Sequence, residues 1–259
     1  MVDPTERDPA PAVTRALAIL DILAGSAGRP MSLSELARGL RAAKSSTLNV
    51  MSVLEAGRLV QRRDGGYALG RRTVELGGAY LATFDQVREF YRLCAESSVL
   101  SHELVQIAIL DGTDVLYLAR HEGRAPLRLS AGIGDRFPAA LTAVGNALLA
   151  LLTQEEVARR FAHTDAFPRR TEKSTATIDD LQAKLSLARD RGYAVDEGEV
   201  HPSVVGIAAA VPARQSSETS FAIGVSLVGV SLDERLLETM ALAVRTVADE
   251  LSRPMHPAP

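Results

Sequence analysis

Apolar positions recur at helical spacing through the first quarter of the chain. Val13, Leu17, Leu20 and Leu23 fall near one face of a helix that Gly25 ends. After the loop Gly28-Arg29-Pro30, Ser32-x-x-Glu35 forms a capping-box pattern, and Leu33, Leu36, Ala37 and Leu40 follow at helical spacing. Arg41-Ala42-Ala43 has the length of the turn in a helix-turn-helix. A second amphipathic helix runs from Lys44 or Ser45 to Ala56, with Thr47, Val50, Met51 and Leu54 inward and Gly57 as its C-terminal cap. The pattern then turns to that of strands. Leu59 to Arg63 and Tyr67-Ala68-Leu69 flank Asp64-Gly65-Gly66, and Asp-Gly between β-capable runs predicts a hairpin. Two helices, a tight turn and a hairpin make a winged helix-turn-helix of residues 31–69, inside a module that spans 12–70.

Residues 71–84 predict a linker helix on Val74, Leu76, Ala79, Tyr80 and Leu81, interrupted by Gly77-Gly78, which serve either as a hinge or for close packing. Helix continues from Phe84 to about Ser97, and a second domain occupies 85–253. Leu104 to Leu110 turns through Asp111-Gly112 into Val115 to Ala119, a hairpin. Leu127 to Ser130 is a further strand, and Ala131-Gly132-Ile133-Gly134 a flexible loop. Helices are expected over 142–152, 154–162 and 178–191, the last with Leu181, Leu185 and Ala188 on one side, and residues 163–176 read as loop. Val204 to Val211 and Phe221 to Val228 are near-continuous apolar runs, suited to the centre of a sheet covered on both faces. Ser231 caps a last helix that carries Leu236, Met240, Val244 and Leu251. The fold class is α/β in the α+β sense, a mainly antiparallel sheet with helices around it. Residues 1–11 and 254–259 read as tails.

Charge separates the two halves. The net charge of −3 conceals ten Lys/Arg against five Asp/Glu in residues 12–83, and 18 against 24 in residues 84–259. A basic module on an acidic body matches a polyanion binder tethered to something else. The cations and hydroxyls also fall where a winged helix meets duplex DNA. Lys44, Ser45, Ser46 and Thr47 open the second helix and suit phosphates, with Ser34 on the helix before it. Arg62 and Arg63 lie near the hairpin tip, where a wing touches the backbone. Asn49 and Ser52, a turn further in, reach toward base edges, and Asn pairs with adenine in the major groove. A winged helix that binds protein instead of DNA is the open alternative.

Other classes find little support. No apolar run reaches the roughly 18 residues of a membrane span, so no membrane partner is expected. The first eleven residues carry Asp3, Glu6 and Asp8 and no apolar core, unlike a secretory signal. The single cysteine, Cys94, forms no internal disulfide and fits a reducing cytoplasm. His102, His121, His163, His201 and His256 are scattered, without a His-x-x-x-His pair or a Cys cluster, so neither a metal nor a cofactor is expected. There is no Gly-x-Ser-x-Gly elbow, and residues 131–134 lack the spacing of a phosphate loop. An enzyme is not expected. His201 beside Glu199 is the one pairing that keeps the alternative of a catalytic domain fused to a winged helix.

Several segments resemble, in order and spacing, the IclR family of bacterial transcription regulators. They are Thr14 to Leu20, Leu33-Ser34-Glu35-Leu36-Ala37, Lys44-Ser45-Ser46-Thr47, Tyr67-Ala68-Leu69-Gly70, Leu110-Asp111-Gly112, Arg191 to Asp196 and Gly206-Ile207-Ala208-Ala209. The resemblance implies a winged helix-turn-helix, a linker helix and a GAF-like effector-binding domain. It also implies a homodimer or homotetramer on a partly palindromic double-stranded DNA operator, with a small organic acid or aromatic metabolite as effector. It places the effector among Leu129, Ile133, Ala143, Val144, Asp196 and Gly206, with Asp196 accepting from a hydroxyl or amine. An ordinary turn aspartate is the alternative for Asp196. The chain departs from the family pattern at Leu48-Asn49, where many members have His-Arg, and at Ala140, Asn146 and Gly206, where His, Lys and Cys are customary. The resulting pocket is less polar and roomier, which favours a larger or more apolar effector over a two- or three-carbon acid.

Overall fold

The computed structural model describes residues 8–84, 86–123, 131–163, 167–215 and 218–253. The chain forms two compact units, Met1–Phe84 and Asp85–Pro259.

In the first unit, α1 (Pro11–Ala24), α2 (Leu33–Gly39) and α3 (Lys44–Ala56) precede a hairpin of β1 (Val60–Arg63) and β2 (Gly66–Leu69), and α4 (Arg72–Leu81) follows. The capping box forms as the spacing predicts. The Ser32 hydroxyl accepts from Glu35 N at 3.2 Å, and the Glu35 carboxylate accepts from Ser32 N at 2.7 Å. Those bonds, with Arg29, hold the Glu35 carboxyl down at about 2. Arg41 takes a left-handed φ of 50° in the turn between α2 and α3. Val60 pairs with Leu69 and Arg63 with Gly66, leaving Asp64-Gly65 as a two-residue hairpin turn. Gly66 is required here: a Cβ would lie 2.2 Å from Met31 O, in the bridge that ties the wing to the start of α2.

The core of this unit is built by Ile19, Leu23, Leu36, Val50, Met51, Leu54, Val60 and Tyr67. One expectation changes. Val13 and Leu17 are 58% and 59% exposed, and the buried stripe of α1 runs through Ile19 and Leu23, backed by Ala16 and Leu20. Two apolar stripes overlap on this helix, and only one meets α3 and the wing. α4 buries no residue, and a Cβ on Gly77 or Gly78 would meet nothing within 4 Å, so neither glycine is explained by packing within this unit. The helix expected to run on from Phe84 instead pauses after Leu81, and α5 (Gln86–Glu96) begins the second unit.

The second unit continues with β3 (Leu104–Asp111), β4 (Asp114–His121), β5 (Arg136–Pro138), α6 (Ala143–Leu149), α7 (Gln154–Arg160), α8 (Ile178–Arg191), β6 (Ala194–Glu197), β7 (Val204–Val211), β8 (Phe221–Val228) and α9 (Glu234–Ser252). Among the described residues the strands form one sheet in the order β5-β4-β3-β8-β7-β6, antiparallel throughout. The two apolar runs, β7 and β8, sit inside it as expected. α6 and α8 pack on the face that carries Ala108, Ala208 and Ala222. By strand alternation Ile207 and Ile223 point to the opposite face, and α9 also packs on β7 and β8.

Small residues seat α6. A Cβ on Gly224 would lie 2.6 Å from Val144 Cγ1, and one on Gly206 would lie 3.1 Å from Ala143 Cβ. A lane of Gly and Ala across β8 and β7 therefore lets this helix approach the sheet closely. Two short strands, β5 and β6, were not expected. Ser231 does not cap α9; Asp233 does, its carboxylate accepting from Leu236 N at 2.7 Å. α6 and α7 end at Leu149 and Arg160, short of their expected limits. The expected strand Leu127 to Ser130 lies outside the described residues.

Candidate DNA-reading face and effector cavity

The outer face of α3 is fixed by what its inner face must bury. Thr47, Val50, Met51 and Leu54 are buried, so Lys44, Ser45, Leu48, Asn49 and Ser52 are left exposed. Thr47 is a correction. It is wholly buried and its hydroxyl donates to Ala43 O at 3.0 Å, so it offers nothing to a phosphate. Ser46 is half-buried and accepts from Arg15 Nη1 at 2.9 Å, which brings a cation from α1 to the leading end of α3. Nothing in the local pattern of α1 pointed to Arg15. The Ser52 hydroxyl donates to Asn49 O at 2.8 Å, while the Asn49 side chain stays exposed. Ser34 is half-buried. On the wing, Arg63 is exposed, whereas Arg62 pairs with Glu55 at 3.1 Å and lies over the Tyr67 ring at 5.0 Å.

In the second unit a cavity of about 300 Å³ opens between the sheet, the start of α6 and the segments around residues 170 and 200. Ala143, Val144, Asp196 and Gly206 line it. Ile133 does not, being 57% exposed on its loop, and Leu129 lies outside the described residues. Of the three departures expected to make the pocket less polar, only Gly206 reaches it; Ala140 and Asn146 are buried away from the cavity. Gln106, Tyr117, Thr142, Arg170, His201 and Ser226 also line it and were missed. Gln106 had a signal, a polar residue within an apolar strand. Its side chain donates to Ala131 O at 2.8 Å and accepts from Ser226 Oγ at 3.3 Å. Arg170 lies over the Phe137 ring at 5.3 Å.

Asp196 is 3% exposed on β6 and pairs with Gly206 across the ladder. Its Oδ1 accepts from Glu199 N at 2.7 Å, so it also holds the turn that follows. Both readings of this residue therefore have a counterpart, the turn bond and the place in the cavity wall. Burial pushes its carboxyl up to about 7; the Glu199 N–H opposes that rise and the Glu199 carboxylate adds to it. The Tyr117 hydroxyl is raised as well, by burial first and then by Asp196 and Asp135. Glu199 is anchored in turn: Lys184 Nζ donates to its Oε1 at 2.5 Å, to Thr175 Oγ1 at 2.8 Å and to Ala140 O at 2.9 Å.

The raised carboxyl has a measurable consequence. Folded Asp196 keeps its proton up to about 7, whereas the unfolded side chain releases it near 4. The native state then binds the extra proton between those values, so this group's contribution to stability falls as pH rises through that window and stays low above it. Asp196→Asn, which retains an acceptor for the Glu199 N–H, is expected to gain on the order of 2–4 kcal/mol relative to the native chain between pH 4 and pH 8. Urea denaturation of both proteins across this range measures the difference, and a constant difference contradicts the assignment.

Residues 12–64 match the model of the IclR helix-turn-helix domain, and residues 78–253 match that of the bacterial transcriptional regulator IclR C-terminal. The chain belongs to the IclR family. It is 28% identical over 254 residues to the HTH-type transcriptional repressor AllR of Escherichia coli (strain K12), covering 96% of this chain and 92% of that one. The crystal structure of the Agrobacterium tumefaciens repressor BlcR is 30% identical, with a TM-score of 0.60 over 95% of this chain and 97% of that chain. An IclR homolog from Microbacterium hydrocarbonoxydans, complexed with 4-hydroxybenzoate, shares the fold with a TM-score of 0.76 at 20% identity, over 93% of this chain and 98% of that one. This IclR-family chain is thus a DNA-binding transcriptional regulator with an effector-binding domain, and its family is one of regulators, not of enzymes. Among the described residues no helix is long and apolar enough to cross a membrane.

Proposed function

We propose that this regulator binds a partly palindromic operator as a dimer or a dimer of dimers, in the cytoplasm, and that a small aromatic or organic acid in the second unit's cavity resets its DNA affinity. The cavity carries the reading. Tyr117, Phe137 and Val144 give it a ring-sized apolar wall, Asp196 accepts a hydroxyl or amine proton, and Arg170 offers a cation for an acid group. The 4-hydroxybenzoate bound by the Microbacterium homolog pairs a hydroxyl with a carboxylate across one ring, the same combination. Exposed Val13, Leu17, Val74, Leu76 and Tyr80 on α1 and α4 support a second copy as partner in the first unit. α4, in the linker of residues 71–84, would carry the effector's signal, a coupling of typically ~1–3 kcal/mol.

The test is thermal melting of the full chain against a metabolite panel, followed by DNA binding with each hit. Hydroxylated aromatic acids are expected to raise the melting temperature and to change operator affinity. A panel in which only two- or three-carbon acids act would refute the effector class.

On the DNA side, Asn49 reads bases, Leu48 beside it suits a thymine methyl, and Lys44, Ser45 and Arg63 meet phosphates. Asn49→Ala is expected to cost about 1–3 kcal/mol on the operator and little on random duplex. Arg63→Ala weakens both alike. Fluorescence anisotropy on the two duplexes separates these roles, and equal losses for Asn49→Ala remove it from base reading.

A further inference from the structure

The walls of the 300 Å³ cavity are graded from rim to floor. Asp196 and Gln106 line it and are buried, whereas Arg170 is exposed and His201 half-buried, so these two stand at its opening. They reach one rim because two segments are cross-linked there. Arg170 precedes Thr171, whose hydroxyl donates to Gly198 O at 2.8 Å, and Ser174 Oγ donates to Glu199 O at 2.8 Å. Thr175 N and Oγ1 donate to the Glu199 carboxylate at 2.9 and 2.6 Å, and Lys184 holds its other oxygen. His201 follows in the same turn, but Glu199, the partner that its sequence position suggested, is bonded to Thr175 and Lys184.

The backbone sets which nitrogen of His201 is offered to a ligand. Its Nδ1 accepts from Ser203 N at 3.2 Å, so the ring proton of the neutral imidazole sits on Nε2, as a donor. A ring N–H and a guanidinium on one rim suit a carboxylate, whose two oxygens accept from both. The floor suits a hydroxyl instead. There Asp196 faces the Glu199 carboxylate, and the Lys184 ammonium near them is already bonded to Glu199. An effector carboxylate at that end would meet like charge. For the hydroxylated aromatic acid proposed above, on which this rests, we infer that His201 is the residue by which the cavity recognises the acid. Its Nε2–H and the Arg170 guanidinium take the carboxylate at the rim, and the hydroxyl enters first, toward Asp196.

Isothermal titration of the full-length chain with 4-hydroxybenzoate, benzoate and 4-ethylphenol tests this. The first ligand carries both groups, the second only the acid and the third only the hydroxyl. His201→Leu is expected to weaken both acids about tenfold, the loss of a hydrogen bond to a charged group, and to leave 4-ethylphenol within about twofold. His201→Gln keeps an N–H near the reach of Nε2 and should bind both acids within about threefold of the native chain. Should His201→Leu fail to fold, His201→Ala takes its place. Equal losses for all three ligands, or no loss for either acid, overturn the role of the ring nitrogen. So does a His201→Gln protein as weak as His201→Leu, since the loss then comes from shape and not from the donor. In each of these cases acid binding by the native chain leaves the effector class standing. Folded native protein that binds none of the three overturns the effector class and the role of His201 together.

Discussion

Raising monovalent salt from about 50 to about 200 mM is expected to weaken operator binding roughly a thousandfold. The cations around α3 and the wing set the size of this effect. Lys44, Arg62 and Arg63 are exposed, so the proposed dimer would bring six cations to the phosphates. Released counterions give a log–log slope of about −0.9 per contact, or about −5 in all, which over a fourfold change in salt is about three decades. Arg63→Ala should flatten the slope by about two, since two copies are lost. Arg62 should contribute less, because in the free protein it is already held by Glu55 and by the Tyr67 ring. Glu55→Gln then tightens binding to every duplex, by freeing that cation and removing a like charge to the phosphates. Anisotropy titrations at several salt concentrations read all three slopes. A flat dependence for the native protein would mean that this face meets something other than a polyanion.

The DNA-reading unit was legible because its signals are local. The Ser32 box, the α3 stripe and the Asp64-Gly65 turn each lie within a few residues, and each forms as its spacing predicts. Thr47 shows the limit of residue type as a guide. Its hydroxyl suits a phosphate, but its register with Val50, Met51 and Leu54 places it on the buried face, and burial prevails. The same competition explains α1, where side-chain pattern alone does not say which of two stripes meets the core.

The candidate effector cavity was legible only where the family resemblance reached it. Ala143, Val144, Asp196 and Gly206 came from what the resemblance implies, whereas Gln106 and Ser226 are 120 residues apart and meet because β3 pairs with β8. Such non-local pairing leaves no trace in a hydrophobic pattern. β5 and β6 were missed for another reason. They are three- and four-residue edge strands carrying charges, too short to show a period of two.

Gly145→Ala is expected to destabilise the effector-binding unit by about 3 kcal/mol or more, although helix propensity argues the other way. Gly145 lies inside α6, where alanine is intrinsically favoured over glycine by about 1 kcal/mol. A Cβ there would sit 2.2 Å from Ala139 O and 2.4 Å from Ala139 Cα. Both atoms are backbone, so no rotamer change relieves the contact. The Ala139–Leu141 turn is itself fully buried and leads into Thr142, the N-cap of α6. α6 cannot retreat as a compensation without opening the seat that Gly206 and Gly224 leave for Ala143 and Val144. Because the displaced segment leads directly into Thr142, Ala143 and Val144, which line the cavity, effector binding should be lost with stability. The same substitution in α4 isolates the cause. A Cβ on Gly77 meets nothing within 4 Å, so Gly77→Ala should be stabilising by about 0.5–1 kcal/mol. Opposite shifts of the urea midpoint for the two variants would show close backbone approach overriding propensity, whereas a neutral or stabilising Gly145→Ala would place α6 farther from Ala139 than described.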